Sequence, residues 1–246
     1  MNKHPTSQEE ALAENITAVR EQIAEAAQRV GRSPAKVTLV AVSKTKPLEL
    51  VKIAYKLGTT DFGENRVQEA LTKIADFDPT GIRWHMIGHV QSNKAGKVIG
   101  SFACIHSVDS LHIAQALNQQ AEKASQANAT MLRQPILLQV NISGEQSKEG
   151  MSEEETPILA RQIVALPHLD VQGLMTVAPL VQDPEEVRPV FRHLHELNER
   201  LRQEVAGSLW QHLSMGMTDD YRVAIEEGAT IVRVGRAIFG ERIKKK

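Results

Sequence analysis

The stretch Val37-Thr38-Leu39-Val40-Ala41-Val42-Ser43-Lys44 decides how the rest of the chain is read. Its first six residues are apolar but for Thr38 and rich in β-branched side chains, which is the signature of a buried strand. Pro47 then opens a helical stretch. A lysine at the C-terminal end of a buried strand loses hydration, which lowers its pKa and frees its amine. A free amine in a cleft is what Schiff-base chemistry with an aldehyde requires. Taken from this segment alone, a strand-end lysine that snorkels to water is the simpler reading.

Outward from this strand the chain alternates. Before it, roughly Ser7 to Val30, the residues Leu12, Ile16, Val19, Ile23 and Ala26 or Ala27 recur at helical spacing, with Gly31 as C-cap and Pro34 as stop. The spacing predicts strands at Val37–Ser43, Thr60–Phe62, Arg83–Ile87, Ala103–Ser107, Ile136–Ile142, Leu169–Val177, His212–Met215 and Thr230–Val234. Helical patterns fall near 48–57, 66–76, 93–99, 110–127, 152–165, 184–206 and 218–227. Eight strands alternating with helices predict an α/β fold, a closed (β/α)8 TIM barrel preceded by an extra N-terminal helix over 7–30. A doubly wound open sheet would need fewer strands and offers no Gly-x-Gly-x-x-Gly turn here.

Size and composition agree. The 246 residues match the roughly 250 of such a barrel, and no low-complexity linker divides them, so residues 1–246 are expected to form one domain. A net charge of −1 and a pI near 6.8 supply no basic field for nucleic acid. No apolar run approaches the roughly 18 residues of a membrane span, and the polar Met1–Glu10 segment carries no signal-peptide core. The lone cysteine, Cys104, cannot form an internal disulfide and reads as a small buried thiol, which suits a cytoplasmic protein. The Lys244-Lys245-Lys246 tail reads as a solvated end.

Side-chain parity points to a site. In Ile136–Ile142, Leu138, Val140 and Ile142 share one face and Leu137, Gln139 and Asn141 the other. If the apolar sets of the last two strands meet the helices, Ser214 and Arg233 point into the barrel, and an inward arginine without a purpose is expensive. Barrels of this kind place active sites at the C-terminal strand ends and hold phosphate on the loops after strands seven and eight. Those loops read Ser214-Met215-Gly216-Met217-Thr218-Asp219-Asp220 and Val232-Arg233-Val234-Gly235-Arg236-Ala237. Ser214 offers a hydroxyl, while Gly216 and Gly235 let the backbone approach a ligand. Asp219 reads as a cap for the following helix. An aldehyde-reactive lysine, a phosphate cradle and an inward arginine together suggest pyridoxal 5′-phosphate.

The chain resembles the pyridoxal phosphate homeostasis protein family, in order, from about residue 12 to 242. The segments that carry the resemblance begin with Ala41-Val42-Ser43-Lys44-Thr45-Lys46-Pro47 and Phe62-Gly63-Glu64-Asn65 with Gln68-Glu69. They continue through Trp84-His85-Met86-Ile87-Gly88 with Gln91-Ser92-Asn93-Lys94, Asn141-Ile142-Ser143 with Ser147-Lys148-Glu149-Gly150, and Gly173-Leu174-Met175. They close with Ser214-Met215-Gly216-Met217, Asp219-Asp220, and Arg233-Val234-Gly235 with Ala237-Ile238-Phe239-Gly240. The family is similar to the N-terminal barrel of alanine racemase (fold type III) without its second β-domain.

The resemblance implies that Lys44 attaches the cofactor as a Schiff base, that Ser214, Gly216 and Gly235 hold its phosphate, and that Arg233 faces the pyridine nitrogen. It also implies that Asn65 lies near the ring substituents and that His85 and Asn141 line the mouth. For these three a structural hydrogen bond serves as well as a ligand contact. Lys46 and Lys148 read as solvated. After Gly235 the family often has Ser or Thr; here Arg236 either meets the phosphate or points to solvent. The expected role is a carrier in intracellular vitamin B6 homeostasis, monomeric, with apo enzymes dependent on the cofactor as its partners. The alternative is a racemase of weak activity. Racemases of this fold use a tyrosine on the far ring face, and the chain has only Tyr55 and Tyr221, both in helical stretches. A class I aldolase would carry its lysine on a later strand and would need no Arg233.

Overall fold

Eight short parallel strands pair in chain order and close on themselves. They are β1 (Thr38–Val42), β2 (Asp61–Glu64), β3 (Arg83–Met86), β4 (Cys104–Val108), β5 (Gln134–Gln139), β6 (Leu169–Met175), β7 (His212–Ser214) and β8 (Ile231–Val234). The seam is the ladder between first and last strands, where Thr38, Leu39, Val40 and Ala41 lie beside Ile231, Val232, Arg233 and Val234. The computed structural model describes residues 7–145 and 148–241. The Lys244–Lys246 tail and Ser147 lie outside the described residues.

Helices follow the strands as expected, with local differences that have local causes. α1 (Ser7–Arg29) precedes the barrel; α2 (Leu48–Lys56), α3 (Val67–Asp76), α4 (Ala95–Val98), α5 (Leu111–Asn128), α6 (Thr156–Val164), α7 (Arg188–Glu204), α8 (Tyr221–Glu226) and α9 (Arg236–Phe239) follow successive strands. The stretch expected over 93–99 divides into a 3-10 turn at Ser92–Lys94 and the one-turn α4. The stretch expected from 184 likewise begins as a 3-10 turn, Pro184–Val187, because Asp183 and Glu186 close a capping box there, and Pro189 then starts α7. α9 was not expected; four residues carry too little periodicity to announce themselves. β5 stops three residues early, since Val140 pairs only in an isolated bridge with Met151 and Asn141 enters a turn.

The apolar residues sort onto two surfaces. Phe62, Ile105, Ile136, Leu138, Leu174, Val232 and Val234 face the helices in the main core. A second, smaller cluster of Val40, Cys104, Leu137, Met175 and Ile231 fills the barrel interior. Cys104 is therefore a buried interior thiol, and burial pushes its pKa up.

α1 covers the flank of the seam. Its Leu12, Ile16, Val19, Ile23, Ala26 and Ala27 are buried, and it packs against α2, α8 and α9. Asn15 Nδ2 donates to Ile238 O at 3.0 Å, and Arg32 donates to Ile225 O at 2.6 Å and Ala229 O at 2.9 Å. Among the described residues no helix is long and apolar enough to cross a membrane. Ile16 is 1% exposed at the centre of the α1 contact. Ile16→Ala is expected to cost about 2–5 kcal/mol in a urea unfolding titration, the cost of a core cavity.

Candidate cofactor site

Closure of the barrel gathers the expected residues along four adjacent strands, β7, β8, β1 and β2. Lys44 follows β1 by two residues. It is half-buried in the turn after β1, directly behind Ser43, whose hydroxyl bonds Glu64. Next to it, Gly235 lies so close that an added Cβ would sit 3.4 Å from Val42 Cβ and O. The two phosphate-type loops are joined by Arg233 N donating to Gly216 O at 3.0 Å. Gly216 has φ +93°, and a Cβ there would lie 2.7 Å from Ala224 Cβ and 2.8 Å from Tyr221 Cα, so no other residue fits without displacement. Asn65 follows β2, and its side-chain Oδ1 is buried without a protein partner. A buried orphan acceptor is uncommon and marks a place for a donor.

The turn bearing Lys44 is strained and clamped. Thr45, a β-branched residue, has φ +64°, which costs about 1–3 kcal/mol unless its surroundings impose it. They do so from α3. Glu69 Oε1 accepts from Thr45 N at 2.6 Å, and Lys73 Nζ donates to Ser43 O at 2.8 Å, Glu64 Oε1 at 2.7 Å and Glu69 Oε1 at 2.9 Å. Ser43 Oγ adds a 2.6 Å bond to Glu64 Oε1. Glu64 is fully buried, and desolvation raises its pKa against the hydrogen bonds from Lys73 and Ser43. Lys46, read from sequence as a surface residue, is corrected here: its Nζ donates to Phe239 O, Gly240 O and Glu241 O at 2.8–2.9 Å and ties the Lys44 turn to α9.

Inside the barrel the inward arginine belongs to a buried polar track. Arg233 NH2 donates to Thr176 O at 2.8 Å and NH1 to Ser214 Oγ at 2.6 Å. Ser214 Oγ meets His106 Nδ1 at 2.9 Å, His106 Nε2 meets His85 Nδ1 at 3.0 Å, and His85 Nε2 meets Asp61 Oδ1 at 2.9 Å. Arg83 closes the far end with a two-pronged pair to Asp61. Burial lowers the Arg233 guanidinium to about 10, so it stays cationic at neutral pH. Burial pushes the Asp61 carboxyl up, but hydrogen bonds from His85 and Arg83 outweigh it and hold the group at about 2. His106 is held well below the usual histidine range, by burial first and then by His85, Arg233 and His212.

Several sequence expectations change accordingly. His85, expected at the mouth, is buried inside the barrel beside Gly63 and bonds to Asp61 at the start of β2. Asn141 ties its own loop, donating to Glu145 O at 2.9 Å and Lys148 O at 3.3 Å. Lys148 is ion-paired with Glu145 at 3.0 Å. Asp219 does not cap α8: it pairs with Arg236, while Asp220 Oδ1 accepts from Met217 N at 2.5 Å. Arg236 also lies 3.4 Å from Glu241. Sequence reasoning missed Asp61, Glu64, Lys73 and His106. The parity argument that found Arg233 would have found His106 and Asp61 as inward polar residues of strands.

A cavity of about 400 Å3 lies at the opposite end of the barrel, between α1 and the strand starts, lined among others by Arg20, Thr59, Asp61 and Arg83. None of Lys44, Asn65, Ser214, Gly216, Arg233 and Gly235 lines it.

Comparison with known proteins gives the arrangement its lineage. The alanine racemase N-terminal domain family matches residues 14–243. A pyridoxal phosphate homeostasis protein of Pseudomonas aeruginosa is 44% identical over 231 residues, 94% of this chain and 96% of that protein. The Aquifex aeolicus protein of the same name is 41% identical over 93% of this chain and 97% of its own length. Among solved structures, PipY of Synechococcus elongatus with PLP bound superposes with a TM-score of 0.81 at 35% identity, covering 93% of this chain and 100% of PipY. Alanine racemase of Corynebacterium glutamicum shares the fold alone, with a TM-score of 0.69 at 16% identity over 95% of this chain and 62% of the enzyme. The architecture is thus the barrel of the alanine racemase N-terminal class. Within that class, the chain belongs to the pyridoxal phosphate homeostasis protein family.

Removing Lys73 takes the charged partner from the buried Glu64 carboxylate and leaves it the Ser43 hydroxyl. Lys73→Met is expected to destabilise by about 3–5 kcal/mol in urea titration, and adding Glu64→Leu should restore most of the loss.

Proposed function

We propose that this protein binds pyridoxal 5′-phosphate reversibly at Lys44 and serves its homeostasis as a carrier. The observation that carries the reading is the arc of Lys44, Gly235, Arg233, Gly216, Ser214 and Asn65 over four adjacent strands. The names of the homeostasis proteins and the PLP bound to PipY support it. The residues fit the group: a half-buried lysine in the turn after β1, a hydroxyl and glycine-lined loops for a phosphate, and an orphan acceptor at Asn65. When bound, the cofactor supplies an aldehyde that condenses reversibly with a primary amine.

Each residue then has a distinct task. Lys44 would hold the cofactor, with the Glu69–Lys73–Glu64 clamp fixing the turn beneath it. Ser214 and the backbone at Gly216 and Gly235 would bind the phosphate, and Asn65 would take a donor from the ring substituents. Arg233 has only donors to offer, so a ring nitrogen placed against it stays unprotonated. An unprotonated ring withdraws electrons weakly, which favours carriage over carbanion chemistry.

The two tyrosines support the same choice against racemisation. Tyr55 Oη donates to Thr80 O at 2.8 Å with its ring edge-on to Phe77, and Tyr221 Oη donates to Gln22 Oε1 at 2.5 Å on α1. Both hydroxyls are committed to contacts among the helices and their loops, away from the arc.

Pyridoxal phosphate added to wild-type protein is expected to give a visible imine band, absent in Lys44→Ala, and borohydride followed by peptide mapping should place the adduct on Lys44. An adduct scattered over Lys148 and surface lysines overturns the assignment. Alanine turnover at an ordinary enzymatic rate, about 1 to 1,000 per second, overturns the carrier reading.

A further inference from the structure

The track from Asp61 to Arg233 has one consistent proton arrangement when both of its imidazoles are neutral. Asp61 is ionised, so His85 Nε2–H donates to it. His85 Nδ1 is then an acceptor, and His106 Nε2–H must donate to it. His106 Nδ1 is left as an acceptor, and the Ser214 hydroxyl must donate to that. Arg233, which has donors only, takes a lone pair of Ser214 Oγ. The single hydroxyl proton of Ser214 is thus committed to His106. An anion arriving at Ser214 would meet a lone pair.

One added proton reverses the two central bonds of the row, His85–His106 and His106–Ser214. With protons on both nitrogens, His85 keeps Asp61 and donates from Nδ1 to His106 Nε2. His106 then carries its proton on Nδ1 and donates to Ser214 Oγ, which also accepts from Arg233 and turns its hydrogen outward. The His106 Nε2 proton passes to His85 Nδ1, the Ser214 proton passes to His106 Nδ1, and one proton from solvent replaces it on Ser214 Oγ, so the row gains one proton and one charge. We propose that His85 and His106 form a proton-coupled positioning relay, in which one proton taken up by the row frees the Ser214 hydroxyl for an anionic group held by the loops after β7 and β8. The proposal rests on the reading of those loops as a phosphate site.

Asp61 of β2 touches His85 directly, with Arg83 of β3 beyond it. His106 faces Arg233 of β8 and His212 of β7, both unfavourable to a second charge, and is fully buried. Asp220 acts on Arg233 and Asp170 on His212 and Cys104, neither of them on the relay directly. Asp61 and Arg83 line the cavity of about 400 Å3 at the barrel floor.

Sodium sulfate is the probe, since it stays a dianion through the roughly pH 5 to 8 window of histidine titration. Calorimetric titration in buffers of different ionisation enthalpy counts the protons taken up, and displacement by pyridoxal phosphate confirms the site. Affinity is expected to fall by about tenfold per pH unit once the pair loses its proton, with about one proton taken up per sulfate bound. His85→Gln should show a flat profile without proton uptake, because an amide can turn and donate to His106 Nε2 uncharged. A uniform loss of affinity in His85→Gln with the wild-type slope retained means a structural role and overturns the relay. A flat wild-type profile, or sulfate that fails to compete while pyridoxal phosphate still attaches to Lys44, overturns the relay and leaves the cofactor reading standing. Absence of both sulfate and pyridoxal phosphate binding overturns both. Should His85→Gln fail to fold, the wild-type proton count decides by itself.

Discussion

The hydrogen-bonded ladder between β8 and β1 is the constraint on which the rest depends. Without it, Lys44 sits at one edge of an open sheet and Arg233 at the other, nearly 190 residues apart in the chain. With it, Val40 lies beside Arg233, and the lysine turn borders the loops that carry Ser214, Gly216 and Gly235. α1 reinforces the join by covering α8 and α9, and Lys46 ties the β1 turn to the carbonyls that end α9. Local propensity, interior packing and the site therefore agree at one seam.

Polar groups in two places set this barrel apart from a purely apolar one. Outside the sheet, under α3, Lys73, Glu64 and Glu69 hold a turn that Thr45 would not adopt unaided. Buried ion pairs add little net stability, because desolvation offsets most of their attraction. Here the pair fixes the direction in which a lysine leaves its strand. Inside the sheet, the row of Asp61, His85, His106, Ser214 and Arg233 satisfies each buried group with a neighbour, as a low-dielectric interior demands.

Much of the fold was legible because barrel strands are short, β-branched and evenly spaced between helical patterns. All eight strands were found near their places, and alternation alone put Ser214 and Arg233 inside. What stayed illegible depends on partners distant in sequence. Lys73 lies one helical turn from Glu69 and looks like half of a solvated pair, yet its amine reaches Ser43 and Glu64 beneath the helix. His85 sits in a segment that carries the family resemblance, and motif position suggested the mouth; on β3 beside Gly63 of β2, its ring instead reaches down to Asp61, two residues before that register partner. The short α9 and the ion pair of Arg236 with Asp219 depend on loop closure that no periodicity encodes.

On the proposed reading, Lys44 is held over a cradle for a phosphate. The most direct test is a crystal structure of the protein grown with pyridoxal phosphate and reduced with borohydride. The account predicts continuous density from Lys44 Nζ to the cofactor, its phosphate against Ser214 and the backbone of Gly216 and Gly235, and its ring nitrogen facing Arg233. Density attached to another lysine, or a phosphate seated in the cavity at the barrel floor, would contradict it.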